Sequence, residues 1–64
     1  MMKTIFVFLA EGFEEIEALA PVDVLRRAGL SVQTVSIMDE QVVIGAHGVP
    51  VVADRMFAEI NPED

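Results

Sequence analysis

The sequence predicts an α/β fold built on a parallel sheet, and three features of its 64 residues predict it. The stretch Thr4 to Leu9 is apolar on both parities, with Ile5, Val7 and Leu9 on one side and Phe6 and Phe8 on the other. A strand apolar on both faces belongs inside a parallel sheet covered by helices on each side. A helical pattern follows from about Glu14 to Ala28, and Val32 to Ile37 reads as a second strand. Strand, helix and strand in this order make a right-handed crossover between parallel neighbours.

Each element carries its own local signals. Glu11-Gly12-Phe13 is a short connection into the helix. Gly29 suits a left-handed C-cap, and Arg26 and Arg27 complement the negative end of the helix dipole. Pro21 lies inside the helix and is expected to kink it. Val42 to Ile44 and Val49 to Val52, separated by Gly45-Ala46-His47-Gly48, read as a β-hairpin. Asp54 is placed to cap a short turn through Phe57, and Asn61-Pro62-Glu63-Asp64 is loop chemistry.

Composition bounds what this much chain can be. A hydrophobic share of 53% is too high for a disordered segment. A chain of this length buries only about 60% of its unfolded surface, and small domains often lean on disulfides or a metal. Here there is no cysteine, and the carboxylates are read as too scattered to build a structural zinc site with the single histidine, His47. No metal or cofactor is therefore expected. The chain reads as core material without enough surface to wrap it, so that residues 1–64 hold no complete domain and need the remainder of the same polypeptide.

Eleven Asp and Glu against four Lys and Arg give a net charge of −7, which repels nucleic acid and anionic membrane surfaces. The run after Lys3 has the length of a signal-peptide apolar region. Glutamates follow it at once with no small-residue cleavage site, and it is too short to span a bilayer. A cytoplasmic location is the expectation.

On a helical wheel Ala18, Val22, Leu25 and Ala28 form the sheet-facing stripe. The opposite side mixes Ile16, Leu19 and Ala20 with Asp23, Arg26 and Arg27. An apolar patch flanked by charge suits either a subunit contact or a second helix of the same domain. Asp23 and Arg27, spaced i,i+4 with the acid first, suit an ordinary helix ion pair.

Ligands of open parallel sheets bind beyond the carboxyl ends of the strands, here at residues 10–17. A phosphate site would need several glycines at the helix start, and this loop has one glycine with Glu11, Glu14, Glu15 and Glu17. Glu14 and Glu15 are accounted for as acids complementing the helix dipole. Glu17 falls on the margin of the sheet-facing stripe beside Val24, where apolar packing and nearby carboxylates would raise its pKa and suit it to general acid or base work. His47, in a glycine-flanked loop, is a surface histidine by default. A receiver-like domain binding Mg²⁺ through the acids after the first strand is an alternative, which needs a further aspartate after a later strand.

The segments Phe8-Leu9-Ala10-Glu11-Gly12-Phe13-Glu14-Glu15-Ile16-Glu17 and Pro21-Val22-Asp23-Val24-Leu25-Arg26-Arg27-Ala28-Gly29 closely resemble the opening of the ThiJ/PfpI superfamily, in its DJ-one branch. The resemblance extends through the hairpin with Gly48 and the following Ala53-Asp54. It implies a flavodoxin-like (class I glutamine amidotransferase-like) parallel-sheet sandwich, of which this chain is the N-terminal portion. It also implies a cysteine-dependent activity on reactive carbonyls, of glyoxalase or deglycase type, in stress protection. Alternatives within the resemblance are a non-catalytic redox-sensing or chaperone module of the same fold, or a member labelled as a thiazole monophosphate biosynthesis protein.

Residue by residue, the resemblance assigns Glu17 as the carboxyl that hydrogen-bonds a cysteine on a strained nucleophile elbow. Gly12 lines the pocket with its backbone, and Glu14 and Arg27 lie near the pocket and the dimer contact. His47 replaces an arginine that reaches toward the partner subunit's pocket. A homodimer is implied, with Ile16, Leu19, Ala20, Asp23 and Arg27 at its contact, and a small carbonyl compound as substrate. The cysteine nucleophile itself lies beyond these 64 residues, so this chain alone cannot act as the enzyme.

Overall fold

The computed structural model describes residues 3–60. Strand β1 (Ile5–Leu9) leads through residues 10–14 into helix α1 (Glu15–Arg27), which returns the chain to β2 (Val32–Ser36). β1 and β2 pair in parallel from Ile5 opposite Val32 to Leu9 opposite Ser36. Strands β3 (Val42–Ile44) and β4 (Pro50–Val52) form an antiparallel hairpin with Val43 opposite Val51. β5 (Arg55–Met56) then pairs in parallel with the end of β2 and leads into a 3-10 turn at Phe57–Glu59. The sheet order is β1-β2-β5, with the hairpin as a separate two-stranded unit. The loop expected at Asn61 to Asp64 lies outside the described residues.

The parallel pair, the crossover helix and the hairpin match the sequence expectation. β5 was not expected. Two residues carry no periodic signal, and the pairing comes from Arg55 and Met56 meeting Val35 and Ser36 far along the chain. Helix α1 is one residue shorter at each end than expected, because Glu14 is its N-cap and Ala28 its C-cap. It closes in a Schellman arrangement: Leu30 N–H donates to Leu25 O and Gly29 N–H to Arg26 O, with Gly29 at φ +86°. The helix continues unbroken through Pro21, whose missing N–H removes one bond on its exposed side.

One core cluster lies against Val7 and Leu9 of β1, and Val35, opposite Phe8, is fully buried as well. Leu9, Val43 and Ala53 are buried together, with Val7, Phe13, Ala18 and Val51 packed around them. Val22 is buried, and Ala18 and Leu25 are half-buried, so the helix stripe faces as expected. Only Ala28, at the cap, is exposed. The other side of β1 is covered differently: Phe8 is exposed and meets Phe57 edge-on, ring centroids 6.0 Å apart.

Asp54 does not cap the 3-10 turn. Its Oδ2 accepts from Thr34 N–H at 2.9 Å, from Thr34 Oγ1 at 3.2 Å and from Arg26 Nη2 at 2.6 Å. Arg26 also donates to Val32 O. The carboxylate thus fastens α1 and the chain after β4 to β2. The turn is instead closed by Glu59, whose Oε1 accepts from Met56 N–H at 2.9 Å.

Candidate functional site beyond the end of strand β1

The carboxyl end of β1 opens into the loop that precedes α1, and the hairpin docks on that loop. Gly12 N–H donates to Ile44 O at 2.8 Å, and Ala46 N–H donates to Phe13 O at 2.7 Å. Gly12 has φ +87°, a conformation that glycine adopts without steric cost. Its N–H, already committed to the hairpin, is not free for a ligand. These two backbone bonds bring the turn 45–48 against the first turn of α1.

Glu15 occupies the junction. Its carboxylate is buried, 9% exposed as a residue, although it stands at the first position of the helix. Oε2 accepts from His47 N–H at 2.8 Å and from Val49 N–H at 3.3 Å. Oε1 pairs with His47 Nδ1 at 2.9 Å. The His47 hydrogen bond, against an opposing effect of burial, together with the backbone N–H groups of Glu15, His47 and Val49, brings the Glu15 carboxyl down to about 2. The same hydrogen bond, with the charges of Glu14 and Glu15, raises His47 above its ordinary value. Gly45 leaves room for this packing, since a Cβ there would force the Glu15 carboxyl group to shift.

The burial assigned to Glu17 in the sequence reading thus falls on Glu15, two positions earlier. Residues i and i+2 do not share a helix face. Glu17 is exposed. Glu14 is exposed, with Oε1 3.6 Å from His47 Nδ1. Treating Glu15 as a dipole acid missed its role because its partners lie 32 and 34 residues away. The available signal was Gly45 beside the hairpin turn.

The carboxylates are also less scattered than the sequence suggests. Donor atoms of Glu14, Glu15 and His47 lie within 4.8 Å of one another. Both Glu15 oxygens and His47 Nδ1 are already engaged with each other or with backbone N–H groups, so the arrangement is a hydrogen-bonded latch. A cleft of about 300 Å³ lies beside it, lined by Glu14, Glu15, Ile16, His47 and Val49. Of the expected contact residues, Ile16 and Ala20 are exposed and Leu19 is half-buried. Asp23 and Arg27 form the i,i+4 ion pair at 3.1 Å.

A parallel sheet with a crossover helix between its paired strands, together with its likeness to solved DJ-1 fold proteins, makes this a flavodoxin-like α/β protein. The DJ-1/PfpI family model matches residues 3–64, and the chain belongs to that family. It is similar to a DJ-1 superfamily protein of Salmonella typhimurium, solved as a cysteine-to-alanine mutant: TM-score 0.86, 41% identity, 91% of this chain and 31% of that one. It is also similar to Toxoplasma gondii DJ-1 in an oxidized form, with TM-score 0.83, 40% identity, and 86% of this chain and 30% of that one covered. Protein DJ-1 homolog A of Arabidopsis thaliana is 38% identical over 59 residues, which are 92% of this chain and 15% of that protein. The chain therefore spans a third or less of these relatives. No helix among the described residues is long and apolar enough to cross a membrane.

Proposed function

We propose that residues 1–64 are the N-terminal portion of a single DJ-1/PfpI domain whose remainder supplies a cysteine nucleophile, the whole acting on small reactive carbonyls. The activity is glyoxalase- or deglycase-like and serves stress protection in the cytoplasm. The observation that carries this reading is the match of residues 3–64 to the DJ-1/PfpI family, within which Glu17 stands on the first turn of α1 beyond the end of β1. Such a carboxyl can hydrogen-bond a thiolate delivered by a later strand, and a thiolate is the reactive form of cysteine. The Salmonella relative, studied with a cysteine replaced by alanine, supports a role for a cysteine. A homodimer through Ile16, Leu19, Ala20, Asp23 and Arg27 belongs to the same reading.

The test is methylglyoxal turnover by the full-length protein and by its Glu17→Ala variant. Turnover that collapses in the variant supports the reading, and a full-length protein without turnover contradicts it. A second reading, a redox-sensing or chaperone module, is favoured by the oxidized form of the Toxoplasma relative. It predicts no turnover, together with reversible oxidation of the cysteine.

A further inference from the structure

The latch between α1 and the hairpin turn gathers an imidazole and two carboxylates, a mixed nitrogen and oxygen donor set. Donor atoms of Glu14, Glu15 and His47 lie within 4.8 Å of one another. His47 Nδ1 is 2.9 Å from Glu15 Oε1 and 3.6 Å from Glu14 Oε1. Two ligands of a tetrahedral zinc ion stand about 3.3 Å apart, so either separation reaches that value with a shift of less than about 0.5 Å. The two Glu15 oxygens also have separate tasks. Oε2 accepts both hairpin backbone bonds, from His47 N–H at 2.8 Å and Val49 N–H at 3.3 Å, while Oε1 faces Nδ1. Hydrogen bonds to the far oxygen of a carboxylate are what orient the near one toward a metal.

We propose that Glu14 Oε1, Glu15 Oε1 and His47 Nδ1 form a binding site for a divalent cation of the zinc class, with its fourth position open to solvent. The cation takes the place of the proton between Nδ1 and Oε1. That proton leaves to solvent, and the two backbone bonds to Oε2 remain. His47 then keeps its other proton on Nε2. The imidazole donor favours zinc, cobalt, nickel or copper over magnesium and calcium, which suit all-oxygen sets. The positive end of the α1 dipole opposes a cation here, but it amounts to about half a charge against two carboxylates. The His47 and Glu14 side chains are 71% and 53% exposed, which gives the ion an entry path and lets water complete its shell. Bound there, the cation fastens the turn 45–48 to the start of α1. The site does not depend on the carbonyl activity proposed above.

The experiment uses the full-length protein, freed of metal with a chelator and titrated with Zn²⁺ alone while the His47 ring is followed by NMR. One equivalent should move the His47 resonances and raise the melting temperature. His47→Gln and Glu14→Gln should each weaken zinc binding about tenfold or more. Glu14→Gln separates binding from folding, because Glu14 makes no capping hydrogen bond and the metal-free variant should melt like the wild type. Glu17→Gln should leave zinc affinity unchanged, which distinguishes this site from a thiol beside Glu17. Zinc that leaves the His47 ring unmoved, or an affinity unaltered in both His47→Gln and Glu14→Gln, would overturn the site. A thiolate charge-transfer band from the first equivalent of Co²⁺ would place the ion on a cysteine and overturn it equally.

Discussion

The Glu15 carboxylate and the His47 imidazole are 2.9 Å apart although 32 residues separate them in the chain. This pair, with the two backbone bonds from the turn, joins the start of α1 to the hairpin and gives the candidate site its shape.

The latch should make stability depend on pH in two opposite directions. Glu15 has a folded value of about 2, below its ordinary 4.5, so its contribution is complete above about 4.5 and is lost as pH falls toward 2. His47 is raised above its ordinary 6.5, so its contribution is complete below 6.5 and is lost as pH rises through the folded value. The difference in melting temperature between wild type and Glu15→Gln should therefore be largest between about pH 4.5 and 6.5. A difference that does not vary with pH would mean the pair carries no linkage.

Gly45→Ala should destabilise the protein by about 1–3 kcal/mol, the usual range for overpacking, because the added methyl forces the Glu15 carboxyl to shift. In a Glu15→Ala background the same substitution should cost much less. Urea unfolding of the four proteins in this cycle measures the coupling.

Asp54→Ala should cost about 1–3 kcal/mol, since it leaves the N–H of buried Thr34 without its acceptor. Burial pushes the Asp54 carboxyl up, but Thr34 and Arg26 outweigh that and hold it below its ordinary value. The Arg26 ion pair contributes little of the cost, both side chains being at least 40% exposed. Asp54→Asn, which keeps an acceptor, should recover part of the loss, whereas Asp23→Ala on the open surface should change stability by less than about 0.5 kcal/mol. Thermal melts of the three variants provide the comparison.

Ile16 is 80% exposed on α1, and a second copy of the protein is its proposed cover. Ile16→Asp places an unpaired charge in that contact and should shift sedimentation from dimer to monomer. Unchanged dimer affinity would assign the patch to a cover within the same subunit.

The sequence was most informative where structure is local. The double-faced run Ile5 to Leu9, the stripe through Ala18, Val22 and Leu25, the Gly29 cap and the 45–48 hairpin turn each follow from periodicities of two or 3.6, or from turn chemistry. Features made by distant partners were hidden. Asp54 looks like a local cap until β2 brings Thr34 alongside it, 20 residues earlier. Glu15 looks like any first-turn acid until the hairpin folds over it. β5 is too short to show a pattern and exists only because β2 offers it an edge.

The central claim is that the Glu17 carboxyl serves a cysteine nucleophile supplied by the rest of the protein, and titration of that thiol tests it most directly. A carboxyl that donates a hydrogen bond to the thiolate stabilises the charged form and lowers the cysteine pKa. Glu17→Gln keeps a donor and should raise the thiol pKa only partly, whereas Glu17→Ala should raise it further and remove most activity. If the thiol titrates identically in the wild type and in Glu17→Ala, Glu17 is an ordinary helix-start acid and the account is contradicted.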